Sequence, residues 1–458
     1  MSGTRKMTGL AMVAVLCLIL GNGLKASAQA PAAGQDAAGV SKAPKYTQAE
    51  YNAEQACAAE KVPATLIKCL DDFVAKYPNS ELLSYIYPLY YQAYSAQKNY
   101  AKMIESADKL AGLGDKVDAL TRFNAYYFHV AAYGTWITEQ PKTAGVDPVA
   151  AKAAEDAAGA ALKTMADVKK PDNMADDAWA KQLTTSKVFL NGIAAQAASI
   201  TKDCTSAVAD YKAVLALNPD DAISSYRLGL AYMCLNPPQQ MDAFWSIARA
   251  VTAKGATQAQ SQKVKDYLRK LIANYQGGTV CDSLTDAELS ELLQLASSSA
   301  DRPGSYSIPS AADLTAAQKD MTIATVVTDL KAGGDKSKLI WLAACGLEFP
   351  DVPGKLLEVA PGTDTIVLKM AFVTSQAEFD ATTTPNMDVK VIGQPQVEKL
   401  EKDSAPRFTG TLVSYDPDPA FFLHWDKAKI NEEDLPKEKA APKKPPVRKP
   451  AAKKPSGD

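Results

Sequence analysis

Apolar side chains recur at helical spacing for about 250 residues of this chain, from Thr47 to Ser299, and no strand-like alternation interrupts them. Apolar residues three and four positions apart share one face of an α-helix, and that face must be buried against another element. We therefore predict about a dozen helices in residues 47–299, joined by short turns. So long a helical array calls for a search for internal repeats.

Capping residues predict three of the helix starts. Thr47–Glu50 has the spacing of a capping box, and Thr285–Glu288 has the same spacing. Asp147-Pro148 places an N-cap aspartate before a proline in the first helical position.

The clearest repeat unit runs from Ser206 to Val251. Gly229 would let two helices approach closely, and Asn218-Pro219 would end one helix before Asp220-Asp221 cap the next. An insertion of about two residues at Pro237-Pro238 departs from a regular 34-residue period. The unit resembles the tetratricopeptide repeat at these positions: Leu228-Gly229 and Tyr232 in the first helix, Ala207 with Tyr211 and Ala243 with Ile247 in the second helix, and Pro219 at the close.

A weaker copy lies at residues 65–110, where Tyr77-Pro78-Asn79-Ser80 repeats the same helix break. The resemblance implies that residues 47–299 form an α-solenoid of antiparallel helix pairs, with a concave groove that binds a protein or peptide. Tyrosines with a polar tip suit such a groove. The candidate groove residues are Tyr87, Tyr91, Tyr94, Tyr226 and Arg227.

The period changes after the helical array. Residues 300–339 are expected to be a linker with one connecting helix, and residues 340–431 a small β-barrel or β-sandwich-like domain. Its glycine placement resembles the oligonucleotide/oligosaccharide-binding fold, although an unnamed β-roll fits equally well. Residues 432–458, rich in Lys, Pro and Ala, are expected to be a disordered tail. The predicted strands are Lys355–Val359, Thr365–Val373, Met387–Ile392, Arg407–Tyr415 and Phe421–Ile430.

The first thirty residues have the features of an export signal. Arg5 and Lys6 precede the apolar run Leu10–Leu20, and Ala28-Gln29-Ala30 has the small-x-small form of a cleavage site. Residues 31–46 then read as a flexible leader. No later segment reaches 18 apolar residues, so we expect no transmembrane segment in the mature chain and an exported protein of the periplasm or cell envelope.

Six cysteines remain after the predicted signal is removed, and an even number in an exported chain indicates disulfides. The local pairs Cys57 with Cys69 and Cys204 with Cys234 are plausible because each pair flanks a predicted helix–turn–helix. The alternative is that these cysteines are small buried side chains between helices. No C-x-x-C motif occurs, which disfavours a thiol oxidoreductase or a zinc ribbon.

Known catalytic and phosphate-binding motifs are missing, and the chain has only two histidines, His129 and His424. We therefore predict a non-enzymatic protein with no catalytic residue, no cofactor and no metal site. Both histidines are expected to have structural surroundings. Residues 439–458 carry a net charge of +6, which suits an anionic envelope surface; the alternative is a solvated, flexible end without a partner. Nucleic acid is disfavoured as a partner because the tail has no aromatic residue for base stacking.

Two functions remain open from the sequence. The first is a scaffold that mediates protein–protein interaction through the helical repeat. The second is an envelope-polymer or glycan binder centred on the β domain, through Tyr415, Phe422 and Trp425.

Overall fold

A computed structural model of the chain describes residues 45–140, 145, 147–361 and 365–436. They form a mainly α-helical protein with a small C-terminal β domain, which confirms the predicted fold class. The signal peptide predicted at 1–30, most of the leader at 31–46 and most of the tail at 432–458 lie outside the described residues. Within the described ranges, no helix is both long and apolar enough to cross a membrane.

The regular secondary structure of the span 47–299 is all helical within the described residues, with no strand there. Its twelve described helices agree with the number predicted. They are α1 (Gln48–Ala59), α2 (Pro63–Lys76), α3 (Leu83–Ala96), α4 (Tyr100–Ala111), α5 (Ala119–Glu139), α6 (Pro148–Thr164), α7 (Asp176–Thr201), α8 (Cys204–Leu217), α9 (Ala222–Cys234), α10 (Gln240–Thr252), α11 (Gln258–Tyr275) and α12 (Asp282–Ser298).

Two of the three predicted helix caps are confirmed. The Thr47–Glu50 capping box opens α1. Asp147-Pro148 opens α6, where the aspartate side chain accepts a hydrogen bond from the Val149 N–H. The third is wrong, because α12 begins four residues earlier, after Cys281. Thr285 therefore lies inside the helix, where it is buried, and does not cap it.

The described residues divide into two compact units, one up to Ile86 and one from Tyr87 onward. In the first unit a disulfide joins Cys57 of α1 to Cys69 of α2, with the two Cα atoms 5.5 Å apart. Leu70 of α2 is fully buried.

In the second unit the helices pack mainly on their neighbours in sequence, from α4 through α12. A disulfide joins Cys204, the first residue of α8, to Cys234, the last residue of α9. Because the start of one helix is tied to the end of the next, α8 and α9 run antiparallel. Asn218 follows the end of α8, and the Asp221 carboxylate caps α9 as the sequence predicts.

Gly229 lies at a close contact between α9 and α10. A Cβ atom at this position would stand 2.5 Å from Ile247 Cγ1 and 2.8 Å from the Ala243 carbonyl oxygen. Only a residue without a side chain fits this contact, which is the role that the repeat motif predicts for it.

Residues 300–344 contain more helix than the single connecting helix expected there. The structure has α13 (Ala311–Gln318), α14 (Ile323–Ala332) and α15 (Gly334–Ala344). Val326 and Val327 of α14 and Ile340 of α15 are buried in the core of the β domain. The β domain therefore includes α14 and α15 and begins before residue 340, because the small sheet needs helices to cover part of its core.

The described sheet has six strands in the order β1-β5-β6-β4-β3-β2. Neighbouring strands are antiparallel except β4 and β6, which are parallel. Five strands lie where they are predicted, and β1 is an additional one. The bounds are β1 (Glu348–Pro353), β2 (Lys355–Pro361), β3 (Ile366–Ala371), β4 (Met387–Val391), β5 (Arg407–Asp416) and β6 (Phe422–Ile430); a short helix α16 (Gln376–Ala381) lies between β3 and β4.

Gly354 joins the two edge strands of this sheet. Strands β1 and β2 are the edges, yet this one residue separates them along the chain. The sheet must therefore curl until the two edges meet at Gly354, which makes it a partly open barrel. A Cβ atom on Gly354 would lie 2.4 Å from the methyl group of Met387 and 2.8 Å from that of Met370, so a larger residue here would displace both methionine side chains.

The last described residues belong to the barrel and not to a disordered tail. Asp434 pairs with Arg407 at 3.2 Å, and Leu435 packs against the barrel core. The boundary expected at 432 is thus a few residues too early.

Candidate functional site

Among the predicted groove residues, Tyr91 is a core residue. Its side chain is 4% exposed, and its ring stacks on Phe128 at 4.8 Å between centroids. Burial raises the pKa of its hydroxyl far above the usual value, with Tyr127 adding to the effect. Tyr91 therefore cannot contact a partner, because α5 covers the face of α3 that it occupies.

The other four groove candidates are partly exposed, but the structure does not gather them at one site. Tyr87 and Tyr94 lie on α3, whereas Tyr226 and Arg227 lie on α9. The Tyr226 ring packs edge-on against Tyr267 of α11, with centroids 6.1 Å apart. Tyr226 thus serves the contact between helices.

A cleft on the repeat unit, which we call the repeat cleft, has a volume of about 530 Å³. It is formed by α8, α9, α10 and the three residues 300–302. None of the five groove candidates lines it. Its lining residues are Lys212, Leu215, Ala216, Pro219, Ser225, Leu228, Tyr232, Asp242, Trp245, Ser246, Arg249, Ala300, Asp301 and Arg302.

Hydrogen bonds to backbone carbonyls hold one wall of the repeat cleft in place. Arg249 donates to the carbonyl oxygens of Pro219 and Ser299, at 2.9 and 2.7 Å. The indole N–H of Trp245 donates to the carbonyl of Ala300 at 3.2 Å. The segment after α12 is therefore fixed against α10, and the cleft exists before any partner arrives.

An ion pair also secures this segment. Arg302 donates to Asp242 of α10 at 3.0 Å and to the Tyr306 carbonyl at 2.9 Å. These two charges neutralise each other inside the cleft.

The remaining charge in the repeat cleft is mostly positive. Arg249 donates to carbonyls and so keeps its full charge, and Lys212 has no ion pair within the described residues. Asp301 is the one lining carboxylate outside the Arg302–Asp242 pair. Leu215, Ala216 and Pro219 are partly or fully exposed apolar residues of the lining, so the cleft offers apolar contact beside cationic donors. Leu228 and Trp245 also line the cleft but are buried, at 6% and 4% exposure.

Sequence reasoning missed this cleft. Trp245 and Arg249 are one helical turn apart on α10, which is a detectable signal for a shared face. The contribution of residues 300–302 has no local signal, because it depends on the chain returning to α10 after two further helices.

The outer surface of the barrel carries a second candidate site, which we call the polar row: Lys369, Asp388, His424 and Asp416. Strand register places Lys369 opposite Asp388, and Asp388 opposite His424. His424 Nδ1 lies 2.9 Å from Asp388, and its Nε2 lies 3.0 Å from Asp416. Lys369 Nζ lies 3.5 Å from Asp388 and over the ring of Phe422.

The protonated form of His424 is favoured in this row. Burial by itself lowers its pKa, but the hydrogen bonds and charges of Asp416 and Asp388 outweigh burial and raise the pKa above the usual value. Both ring nitrogens have carboxylate partners, so the imidazole has no free atom for general-base chemistry.

Of the three residues proposed for binding on the β domain, Phe422 is partly exposed beside His424, with ring centroids 5.2 Å apart. Tyr415 is half-buried, and its ring packs edge-on against Trp341 at 5.0 Å. Trp425 is fully buried between Phe349 and Phe408, so its proposed ligand contact is wrong. Alternation along β6 points Trp425 inward and its neighbour His424 outward.

His129 has a structural environment. It is buried on α5, and its Nδ1 lies 2.6 Å from Asp108 of α4. Within the described ranges, His, Cys, Asp and Glu side chains form no cluster of three that could hold a metal ion.

Comparison with protein-family models and with curated proteins finds no match for this chain.

Proposed function

We propose that this chain is a non-enzymatic scaffold whose repeat cleft binds a peptide segment of a partner protein. The observation that carries the proposal is the preformed cleft, in which Arg249 and Trp245 are locked by the chain's own carbonyls. A preorganised site does not lose side-chain freedom again when a partner binds. The location of the cleft on the unit that resembles a tetratricopeptide repeat supports the same function.

The chemistry of the lining favours a segment with an apolar side chain next to a carboxylate. Lys212 and Arg249 supply the positive charge, and Leu215 and Ala216 supply apolar area. A volume of about 530 Å³ accommodates a few residues of an extended segment, not a folded domain.

An oxidising compartment, the periplasm or cell envelope, is the proposed location. All six cysteines of the described residues are paired, in three disulfides. Such bonds persist outside the cytoplasm and are rare within it.

Site-specific crosslinking in the native host tests the scaffold. A photoreactive residue at position 215 lies in the cleft, and one at exposed Lys263 on α11 is the control. We expect a discrete partner adduct from position 215 alone. With that partner purified, Lys212→Gln should weaken binding and Lys263→Gln should not; equal effects would refute the cleft as the site.

The polar row supports a second candidate function, the binding of a glycan or envelope polymer by the barrel. A row of alternating donors and acceptors with an exposed aromatic ring suits sugar hydroxyls and a sugar face. The strand order, with β1 and β2 as one bent strand, supports the resemblance to the oligonucleotide/oligosaccharide-binding fold. Residues 345–436 hold sixteen acidic and eight basic side chains, and this net charge of −8 disfavours nucleic acid.

The glycan candidate is tested on the full chain, because a fragment starting at 340 would lose α14 from the barrel core. Phe422→Ala should abolish retention on peptidoglycan or envelope polysaccharide. Ile392→Ala, an exposed apolar residue next to β4, is the matched control. Retention of the Phe422→Ala protein at the native level would exclude this face.

A further inference from the structure

A second cleft, which we call the acidic cleft, lies between α12, the segment 305–309 and α15. Its volume is about 410 Å³. It is distinct from the repeat cleft, with which it shares no lining residue. Its lining residues are Leu284, Ala287, Glu288, Glu291, Ser305, Tyr306, Ser307, Ile308, Pro309, Asp335, Lys338, Leu339, Trp341 and Leu342.

Negative charge dominates the acidic cleft. Glu288, Glu291 and Asp335 face one lysine, Lys338, whose Nζ is 3.9 Å from Glu291. Lys338 can balance one carboxylate, so two remain without a compensating cation among the residues that the structure describes. The sign is the reverse of that in the repeat cleft.

The side chain of Glu288 is held partly away from water. Its Oε2 accepts a hydrogen bond from Gln276 Nε2 at 2.7 Å. Burial raises its pKa, Gln276 opposes this, and the neighbouring charge of Glu291 raises it further. A carboxylate in such a place gains when a cation comes next to it.

Two aromatic rings complete the cleft, Tyr306 and Trp341. Burial and then the charges of Glu291 and Glu288 raise the pKa of the Tyr306 hydroxyl, so the phenol stays neutral next to both carboxylates. Trp341 is braced by the Tyr415 ring at 5.0 Å. Aromatic faces beside carboxylates attract a cationic group by charge and by the ring quadrupole.

The walls of the acidic cleft are tied together covalently. Cys281 immediately precedes α12 and Cys345 immediately follows α15, and the disulfide between them holds their Cα atoms 6.0 Å apart. The third wall is fixed because Ile308 N–H donates to Met241 Sδ at 3.3 Å. The spacing between the carboxylates and the rings is therefore set in advance.

We propose that the acidic cleft binds the cationic side chain of an arginine or lysine in an extended segment of a partner protein. Charge complementarity selects this occupant, since two uncompensated carboxylates and two aromatic rings line the cleft. The cleft has room for one long side chain and the residues next to it in the segment. Aliphatic contact from the partly exposed Leu284 and Leu339 matches the methylene stem of such a side chain.

Peptide binding to the full chain tests the proposal. The probes are an alanine-based decapeptide with three spaced arginines, acetylated and amidated, and the same peptide with neutral citrulline at those positions. Calorimetry should give a binding isotherm for the arginine peptide, and the citrulline peptide should bind at least about tenfold more weakly. Equal affinity of the two peptides would overturn the proposal.

Variants locate the binding on the protein. The double variant Glu288→Gln, Glu291→Gln should bind the arginine peptide about tenfold more weakly, or weaker still. Asp335→Asn, an exposed position in the first turn of α15, should weaken it without affecting folding. Glu398→Gln, on an exposed turn of the barrel, is the charge-matched control; a loss as large as that of the cleft variants would show general attraction and overturn the site.

Removing residues 437–458 tests the other possible occupant of the acidic cleft, which is the basic end of this chain itself. Unchanged affinity for the arginine peptide supports a partner's side chain as the occupant. A large gain in affinity would assign the cleft to the chain's own basic residues and overturn the proposed partner. A failure of the repeat cleft in its crosslinking test leaves this result unaffected, because the two clefts share no residue.

Discussion

Replacing Gly229 with alanine tests whether close approach of α9 and α10 holds the repeat unit together. The added Cβ would lie 2.5 Å from Ile247 Cγ1 and 2.8 Å from the Ala243 carbonyl oxygen. Ile247 is fully buried, and the carbonyl belongs to the backbone of α10, so neither can move alone. The helices must separate by about an ångström, which forfeits dispersion contacts along their interface.

Two opposing effects set the magnitude. Alanine in place of a helical glycine stabilises by up to about 1 kcal/mol. Overpacking a tight contact costs about 1–3 kcal/mol, and the upper part of that range applies because one colliding atom is backbone. We expect Gly229→Ala to lower the free energy of unfolding by about 2 kcal/mol.

Gly159→Ala is the matched control. Gly159 lies inside α6, and a Cβ there would have no heavy atom within 4 Å. This variant should gain about 0.5–1 kcal/mol from helix propensity alone. Urea titration followed by circular dichroism gives both midpoints. If Gly229→Ala proves as stable as Gly159→Ala, the argument from close approach is refuted.

Three further outcomes are expected. Burial, then the charges of Glu155 and Asp203, raise the pKa of Asp210 to about 6, so the folded state binds this proton before the unfolded state does. Stability should rise as pH falls from 7 to 5, and Asp210→Asn should remove that rise and stabilise the protein by about 1 kcal/mol at pH 7, a value reduced for solvent screening of a half-buried group. The pKa of His424 is raised in the folded protein, so protonated His424 stabilises the fold. This stabilisation is complete below the unfolded pKa of about 6.5 and is lost as pH rises through the folded pKa. His424→Asn should therefore flatten the decline of the urea midpoint above pH 6.5. Cys281→Ser with Cys345→Ser opens a 64-residue loop and should cost about 4 kcal/mol in the same titration, and a change below 1 kcal/mol would contradict it.

The sequence by itself determined the class of each segment. Helical spacing over 47–299 and alternation after residue 355 are local signals, because neighbouring side chains on one helix face or one strand face share a single environment. The breaks at Asn218-Pro219 and the requirement for glycine at 229 were predictable for the same reason. Strand β1 was missed because Pro350 and Pro353 interrupt its pattern.

Only the tertiary structure decided which of several similar residues face solvent. Tyr87 and Tyr91 are one turn apart on α3, yet the second is covered by Phe128 of another helix. Nothing near Gly354 in the sequence shows that its two flanking strands form opposite edges of one sheet.

The two clefts depend on tertiary structure even more strongly. Residues 212 and 302, and residues 288 and 338, become neighbours only after the chain has passed through several intervening elements. Local patterns report which face of an element is buried. The assembly of a site also requires knowing which faces meet, and that is set by the sum of many weak long-range contacts that no short stretch of sequence contains.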